Sequence, residues 1–207
     1  MRNKAIDALH LQAISTQFTA GEITRNEARS AVIDRILLRV QCSRVSLWRF
    51  DGELGNLTML CFAAKAVDGE LVTDEERLAL PDNRDYFDAL IDHGVYMSND
   101  TLHDANLHGM RAKYLQRHCI MAMLDVPFSV NGRVYGMACC EQVGIIRVWR
   151  ADELSEVRAI VSKVTMLMAS NNDPVLMGSP SLSMTSLLEN LSDGQQADLK
   201  RFDQRRR

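Results

Sequence analysis

Five cysteines are the residues of this 207-residue chain with the widest chemical range, since a thiolate can act as nucleophile, reductant or metal ligand. Cys139 and Cys140 are adjacent in a stretch that is typical of a strand, so their side chains point to opposite faces and chelate one metal poorly. Cys61 and Cys119 could approach Cys139 across a sheet, which leaves a redox or metal role open. The alternative is that these small side chains are buried as inert thiols.

Four histidines surround one polar segment in the middle of the chain: His93, His103, His108 and His118. Neutral imidazole is a common ligand of metals and of haem iron. His103 and His108 are five residues apart, about 140° around a helix, so they do not share a helical face. We predict that the histidines lie on the surface and that no metal is bound.

Two carboxylates interrupt apolar strands. Asp125 lies between Leu124 and Val126, and Glu141 ends the following strand. A carboxylate in such a place needs a partner, and Arg44 and Arg147 are the candidates. The pattern fits either a structural ion pair or ligand recognition at the mouth of a pocket.

Motifs of the common enzyme classes are missing from the chain. There is no GxxxxGK[ST] or GxGxxG loop for phosphate, no GxSxG elbow, and neither HExxH nor CxxC. Too few residues follow Ala169 for a kinase or cyclase domain. We therefore predict a protein that is not an enzyme, with a cysteine-dependent redox enzyme or redox sensor as the alternative.

Composition is that of an ordinary globular protein. Hydrophobic residues make up 46% and charged residues 25%, and the formal net charge is −3, which argues against disorder and against binding of nucleic acid or anionic membrane. No apolar run approaches the roughly 20 residues that span a bilayer. An odd number of cysteines without an export signal predicts a cytoplasmic protein.

The chemistry-bearing residues must be positioned by a mixed set of elements. A first helix is predicted within 1–19, and Thr24 and Glu27 form a capping box for a second helix. Alternating apolar residues predict strands at 44–50 and 57–66, and Asn131-Gly132 joins two apolar runs as a hairpin. Asp82 can cap a helix over 83–93. Strands joined by tight turns are antiparallel, so we predict an α/β (α+β) chain around an antiparallel sheet.

The last predicted helix, 151–169, has apolar residues at heptad spacing: Leu154, Val157, Val161, Val164 and Met168. This stripe either packs on the sheet or also pairs with a second copy of the helix. Residues 170–183, rich in Asn, Pro, Gly and Ser, read as a linker. Residues 184–207 read as a polar tail with a short helix and a basic end.

Several segments occur in an order that resembles a bacterial GAF domain of the kind found upstream of histidine kinases and diguanylate cyclases. The resemblance covers about residues 20–169. It rests on Arg44 to Trp48, Asp85 to Leu90, Asn99-Asp100, Tyr114-Leu115, Ile120 to Pro127 (IMAMLDVP), Gly132, and Gly136 to Trp149 (GMACCEQVGIIRVW).

This resemblance implies a six-stranded antiparallel sheet with helices on one face and a small-molecule pocket on the other. The pocket would be covered by residues 101–117, called the roof below. GAF domains bind cyclic nucleotides, tetrapyrroles, haem or small metabolites, so haem and cyclic nucleotides are candidate ligands although no cofactor is required. The resemblance and strand alternation together give these pocket candidates: Trp48, Tyr86, Phe87, Asp100, Tyr114, Met123, Asp125, Cys139 and Glu141.

Three features depart from the family's pattern. Arg150 stands where a helix-capping Ser or Thr is usual, and Gln142 stands where a histidine is common. The roof reads LHDANLHGMRAKYL from residue 102 instead of an Asp-Pro-Arg-Thr-like run.

From these observations we expect a signalling sensor or adaptor that binds a small ligand and regulates a partner, such as a histidine kinase or diguanylate cyclase, as a homodimer through its first and last helices. A GAF fold whose pocket is filled by its own side chains, serving only as an interaction module, is the further alternative.

Overall fold

The structure, a computed structural model, describes residues 2–51, 58–73, 76–130 and 133–170. The turn predicted at Asn131-Gly132 lies outside these residues, as do the tail and all but the first residue of the linker. In the described chain, no helix is both long enough and apolar enough to cross a bilayer.

Six strands form one antiparallel sheet in the order β3-β2-β1-β6-β5-β4. This confirms the predicted fold class. The strands are β1 Arg44–Asp51, β2 Thr58–Ala66, β3 Arg77–Ala79, β4 Tyr96–Ser98, β5 Ile120–Val130 and β6 Arg133–Val143. The central pair, β1 and β6, is bounded by neighbours on both sides, so residues on its two faces are the most deeply buried.

The helices are α1 Arg2–Thr19, α2 Arg25–Val40, α3 Arg84–His93, α4 His108–Met110 and α5 Ala151–Ser170. Short 3₁₀ turns at Pro81–Asn83 and Ala105–Leu107 and a π-helical turn at Arg111–Leu115 complete the segment between β3 and β5. Helices α1, α2 and α5 pack on one face of the sheet, and α3, α4 and the short turns cover the other.

Helix α2 begins where the capping box predicts. The Thr24 hydroxyl accepts a hydrogen bond from the Glu27 amide at 3.2 Å, and the Thr24 amide donates to the Glu27 carboxylate at 2.7 Å. Two amides without a partner inside the helix are satisfied in this way. The apolar stripe of the helix, from Val32 to Val40, is buried against the sheet.

The start of α3 corrects one expectation. Asp82 lies within the 3₁₀ turn Pro81–Asn83 and does not cap the helix; Asn83 stands at the cap position without a side-chain capping bond. Asn83 instead donates from its amide nitrogen to the carbonyl oxygen of Ala79 at 2.7 Å. Asp82 is the partner of the roof residue Lys113, at 3.0 Å.

Helix α5 buries its apolar stripe inside the chain. Val157, Ile160, Val161 and Val164 pack with α1, α2 and the sheet, which supports the first of the two interpretations of the heptad pattern. The side chain of Met168 lies outside the described ones. Pairing with a second copy stays a prediction.

At Gly109 the roof lies very close to the turn Pro81–Asn83, which leads into α3. A Cβ atom at this position would lie 1.7 Å from the carbonyl oxygen of Asp82 and 2.9 Å from the Asn83 side chain. Only glycine permits this backbone contact without displacement. The contact holds the roof against the turn Pro81–Asn83 that leads into α3.

Candidate functional site

A buried layer lies between the sheet and its cover of α3 and the roof; we call it the chamber. Strand alternation sends Arg44, Ser46, Trp48 and Phe50 of β1 to this side, while Val45 and Leu47 face the helices. The apolar members of the layer are Trp48, Phe50, Met59, Cys61, Ala64, Leu78, Tyr86, Phe87, Leu90, Tyr96, Leu107, Met110, Tyr114, Leu115, Ile120, Met123, Met137 and Cys139.

Glu141 is the centre of the first polar cluster in the chamber. Its carboxylate forms an ion pair with Arg44 and accepts hydrogen bonds from the hydroxyls of Tyr114 and of Ser46, the latter at 2.7 Å. Trp48 donates from Nε1 to the Ser46 hydroxyl oxygen at 2.8 Å, and Arg44 donates to the Tyr114 oxygen at 2.8 Å. Both carboxylate oxygens are therefore occupied, and Tyr114 ties the roof to the sheet.

The charges of this cluster shift the pKa values of its members. Burial alone would lower the pKa of Arg44, but the nearby Glu141 and Tyr114 outweigh burial and raise it. Burial, and then the charge of Glu141, raise the pKa of Tyr114 well above its usual value. Arg44 thus stays charged and Tyr114 stays a hydrogen-bond donor.

Asp125 is the centre of a second, incomplete cluster. The Tyr86 hydroxyl donates to Asp125 Oδ2 at 2.6 Å, and the Tyr86 oxygen also lies 3.0 Å from the sulfur of Met137. Asp125 is fully buried, and among the described residues its Oδ1 has no hydrogen-bond partner. Burial raises the pKa of Asp125 to about 7, although Tyr86 and Cys139 act in the opposite direction.

Aromatic rings fill much of the chamber around these groups. Tyr86 contacts Tyr96 and Phe87 edge to face, with ring centroids 4.8 Å and 5.0 Å apart. Trp48 and Tyr114 contact each other in the same way at 5.2 Å. The chamber is thus a packed aromatic layer with two buried carboxylates.

The structure brings eight of the nine predicted site residues to this layer: Trp48, Tyr86, Phe87, Tyr114, Met123, Asp125, Cys139 and Glu141. Asp100 does not join them. Its carboxylate accepts hydrogen bonds from the Leu102 amide at 3.1 Å and pairs with His103 Nδ1 at 2.8 Å. Asp100 serves a partly exposed turn, and the hydrogen bond from His103 lowers its pKa.

Several chamber residues were not among the predicted set, chiefly Ser46, Tyr96, Met110 and Met137. Ser46 and Met137 were detectable in principle, because each alternates with a predicted residue on its own strand. Tyr96 and Met110 lie in short, irregular elements with too few residues for a periodic signal.

Of the two candidate arginine partners, one was right and one was wrong. Arg44 pairs with Glu141 as expected. Arg147 contacts neither strand carboxylate: its guanidinium donates to Glu153 of α5 at 2.7 Å and to the carbonyl oxygens of Val40 and Gln41 at 2.6 Å and 2.9 Å. Arg147 therefore joins the end of α2 to the start of α5.

This junction, which we call the Arg147 junction, also reaches the sheet. Arg147 donates to Gln142 at 2.9 Å, and Gln142 donates to the Ser43 hydroxyl at 2.6 Å. The Glu153 carboxylate accepts a hydrogen bond from the Arg150 amide at 2.8 Å. This is one of the two hydrogen bonds of a capping box; the other is missing, because Arg150 has no hydroxyl. Gln142 is next in sequence to Glu141, so one strand contributes to both the chamber and the junction.

The cysteines are all free thiols. As predicted from their adjacency, Cys139 faces the chamber and Cys140 the helices. Burial raises the pKa of Cys61 to about 12 and raises that of Cys139 well above its usual value, so neither is a ready nucleophile. Cys119 is exposed.

The histidines lie at or near the surface. His93, His103 and His108 are exposed, and His118 is partly buried beside Glu76, with 2.8 Å between Nε2 and the carboxylate. Within the described ranges, no three His, Cys, Asp or Glu side chains converge in a way that could hold a metal ion.

Comparison with protein families and solved structures gives one consistent result. Residues 25–167 match the family model described as GAF domain. No curated protein sequence matches the chain. Three solved structures that resemble it come from cyanobacteriochromes or phytochromes.

The GAF domain of PixJ from Thermosynechococcus elongatus, in its blue-light-absorbing form, is 17% identical; the match covers 72% of this chain and 86% of that one, with a TM-score of 0.59. The phycocyanobilin-bound GAF domain of a cyanobacterial phytochrome is 13% identical, over 80% of this chain and 95% of that one, with a TM-score of 0.61. The chromophore-binding domain of the bacteriophytochrome RpBphP3 from R. palustris is 11% identical. The match covers 83% of this chain and 60% of that one, with a TM-score of 0.60.

These likenesses confirm the resemblance inferred from the ordered motifs and confirm the fold. The family match is to the GAF domain, the family from which a non-catalytic sensor was predicted.

Proposed function

Because the chain belongs to the GAF domain family, we propose that it is a non-catalytic sensor that binds a compact small molecule in the chamber and regulates a partner protein. Of the solved neighbours, one is a phycocyanobilin-bound GAF domain and another a chromophore-binding domain, which supports a ligand-binding sensor.

The observation that carries this proposal is the placement of buried charge. Arg44, Glu141 and Asp125 all lie on the chamber side, and Asp125 keeps one oxygen without a partner. Burying a polar group without a hydrogen bond costs about 1–3 kcal/mol in proteins. Folding does not require that cost, because an apolar residue would pack there; a group retained at such a cost points to a ligand.

The chamber suits a small ligand and does not suit a bilin. Trp48, Tyr86 and Tyr114 occupy the space over the sheet with ring contacts near 5 Å, and the backbone contact at Gly109 holds the roof close to Asp82. Haem meets the same obstacle. A cyclic nucleotide would need a cation for its phosphate, but Arg44, the cation described inside the chamber, is already paired with Glu141.

Regulation of a partner would proceed through the Arg147 junction. A ligand that shifts β6 at Glu141 also shifts Gln142, whose hydrogen bond with Arg147 leads to the end of α2 and the start of α5. The binding state then changes the population of two arrangements of the terminal helices, by no more than the ligand's differential affinity for them. A homodimer formed through α1 and α5 would expose this change to a histidine kinase or diguanylate cyclase in the cytoplasm.

A second function is favoured by the packing itself. Eight predicted pocket residues contact one another or their neighbours in a continuous buried layer. Such a chamber also suits a GAF domain that binds no ligand and acts only as an interaction module.

A ligand screen with the full chain separates the two functions. We expect at least one compound from a panel of amines, amino acids, nucleotides, haem and biliverdin to raise the unfolding temperature and to slow hydrogen exchange at 101–117 and at the start of α5. Asp125→Asn should weaken the response, whereas Asp100→Asn, the same chemical change outside the chamber, should not.

A panel without any stabilising compound would favour the interaction module. Native mass spectrometry of the same samples tests the homodimer: a monomer at all concentrations contradicts signalling through paired helices.

A further inference from the structure

We infer that the Asp125 side of the chamber is a receptor for an organic ammonium group, carried by a compact ligand with a flat or branched hydrocarbon body; this rests on the proposed function and names its ligand class. The site consists of Asp125, Tyr86, Tyr96, Phe87 and Met137.

Charge in the chamber is unbalanced. Arg44 and Glu141 form a complete pair, in which both carboxylate oxygens are occupied. Asp125 adds a second acid, and no lysine, arginine or histidine of the described residues pairs with it. Its neighbours supply the Tyr86 hydroxyl, which donates to Oδ2, and the thiol of Cys139 directly opposite on β6, which is a weak donor. Among the described residues, Oδ1 has no conventional hydrogen-bond partner. A cation from outside the chain is the group that this arrangement lacks.

The walls around Asp125 have the chemistry that recognises ammonium. Tyr96 on β4 is directly opposite Asp125 on β5, and its ring contacts that of Tyr86, which in turn contacts Phe87. Aromatic faces attract an ammonium ion through their quadrupoles, and the attraction grows when the site is dry. A carboxylate beside three aromatic rings therefore binds an ammonium group by a charge-assisted hydrogen bond and by cation–π contact together.

Other ligand classes fit this side less well. An anion would meet both Asp125 and Glu141 at close range in a dry layer, which is repulsive. A neutral hydroxyl could donate to Oδ1 but would gain neither the ionic nor the cation–π interaction. Room for the hydrocarbon body comes from Met110, Met123 and Met137, whose unbranched side chains change rotamer at low cost.

Binding of a cation at Asp125 should depend on pH. Burial raises the pKa of Asp125 to about 7, so near neutral pH a cation must displace a proton to form the ion pair. Its affinity should then rise with pH up to and beyond that value. The other ionisable groups in or against the chamber are Arg44 (β1), Cys61 (β2), Tyr86 (α3), Tyr96 (β4), Tyr114 (roof), and Cys139 and Glu141 (β6). Asp104 of the roof hydrogen-bonds Tyr96, and the ring of His118 contacts that of Tyr114. Burial raises the pKa values of the tyrosines and of the two cysteines.

The test compares benzylammonium with benzyl alcohol, which has the same shape and no charge, on the full chain by calorimetric titration. We expect benzylammonium to bind at least about tenfold more tightly at about pH 8, with a preference that declines toward about pH 5. Asp125→Asn should abolish the preference, and Asp100→Asn should leave it intact. Equal affinity of the two probes, or an unchanged preference in Asp125→Asn, overturns the inference.

A second measurement does not depend on the fold of a variant. Carbonyl-carbon NMR of the unmodified chain should show the pKa of Asp125 falling when benzylammonium is added; an unmoved pKa overturns the ammonium site. If a nucleotide or another anion protects the roof while benzylammonium does not bind, the sensor proposal stands and the ammonium assignment fails. If no compound binds, both fail.

Discussion

The two faces of the sheet are built from different residues. The helix side is packed by aliphatic side chains of α1, α2 and α5, such as Ile33, Ile36 and Val157, each with no more than trace exposure. The chamber side is packed by aromatic residues, methionines and cysteines around the buried charges of Arg44, Glu141 and Asp125. Both sides are buried. The helix side also holds charged residues, such as Arg29 over the Phe62 ring and Glu153 beside Arg147, but the two buried carboxylates of the sheet strands lie on the chamber side.

This difference separates the residues that hold the fold from those that give it chemistry. Aliphatic burial stabilises by about 25 cal/mol per Å² and has no opposing charge term. In the chamber, the desolvation of Asp125 opposes folding whenever that carboxyl is ionised. Functional sites of proteins often reduce stability in this way. The predictions below test whether the two faces can be separated by mutation.

The largest loss of stability is expected from Arg44→Met. It leaves Glu141 buried without its cation, and breaking one partner of a buried pair costs about 3–5 kcal/mol. Urea unfolding of the variant measures the loss. The double variant Arg44→Met, Glu141→Leu should recover much of it, because no buried charge remains. A double variant as unstable as the single one would show that the cluster matters by shape and not by charge.

A somewhat smaller loss is expected from Ile36→Ala on the helix side. Ile36 is fully buried, and such truncations cost about 2–5 kcal/mol. Met123→Ala is the matched change in the chamber. We expect Ile36→Ala to alter thermal stability while ligand affinity stays the same, and Met123→Ala to alter both. If Ile36→Ala changes affinity as much as Met123→Ala does, the two faces are not separable.

The pH dependence of stability should report Asp125. A carboxyl whose pKa is about 7 in the folded chain and near 4 when unfolded binds more protons when folded. Its contribution to the free energy of unfolding is fully present below about pH 4 and is lost as pH rises through about 7. The loss amounts to a few kcal/mol, because a difference of one pKa unit corresponds to about 1.4 kcal/mol. Urea unfolding at about pH 5 and pH 8 should show this decline, and Asp125→Asn should flatten it. An equal decline in Asp125→Asn would assign it to another group.

The smallest effect is expected from Asp100→Asn. This carboxylate lies in a partly exposed turn with Leu102 and His103 as partners, and it does not reach the chamber. The unfolding temperature should stay within the scatter that is usual for surface substitutions. A loss of ligand response in this variant would place the binding site outside the chamber.

Much of the fold follows from local patterns in the sequence. The capping box at Thr24 and the apolar stripe after it predict α2, because both signals lie within one element. Alternation in β1 and β6 predicts which side each residue faces, and the opposite placement of Cys139 and Cys140 confirms it. The ordered motifs supply the family, and with it the arrangement of the sheet.

The contacts that make the site follow from longer-range pairing. Tyr86 reaches Asp125 across 39 residues of sequence, and Tyr114 reaches Glu141 across 27. No local period encodes such contacts. Asp100 looked like a pocket residue by resemblance, yet its carboxylate accepts a hydrogen bond from the Leu102 amide, which holds it in its own turn. Asp82 likewise has the residue type of a helix cap, but the Pro81 turn shifts the helix start past it.

The adjacency of Cys139 and Cys140 has a practical consequence. The two residues are linked by one peptide bond, but their thiols lie on opposite faces of the sheet, so each thiol reports on its own side of the same strand. Labelling rates at the two thiols, read by mass spectrometry after brief exposure to an alkylating reagent, would reveal which side opens first when the protein is heated. A molecule held on one side would slow the nearer thiol directly and the farther one only through the shared backbone.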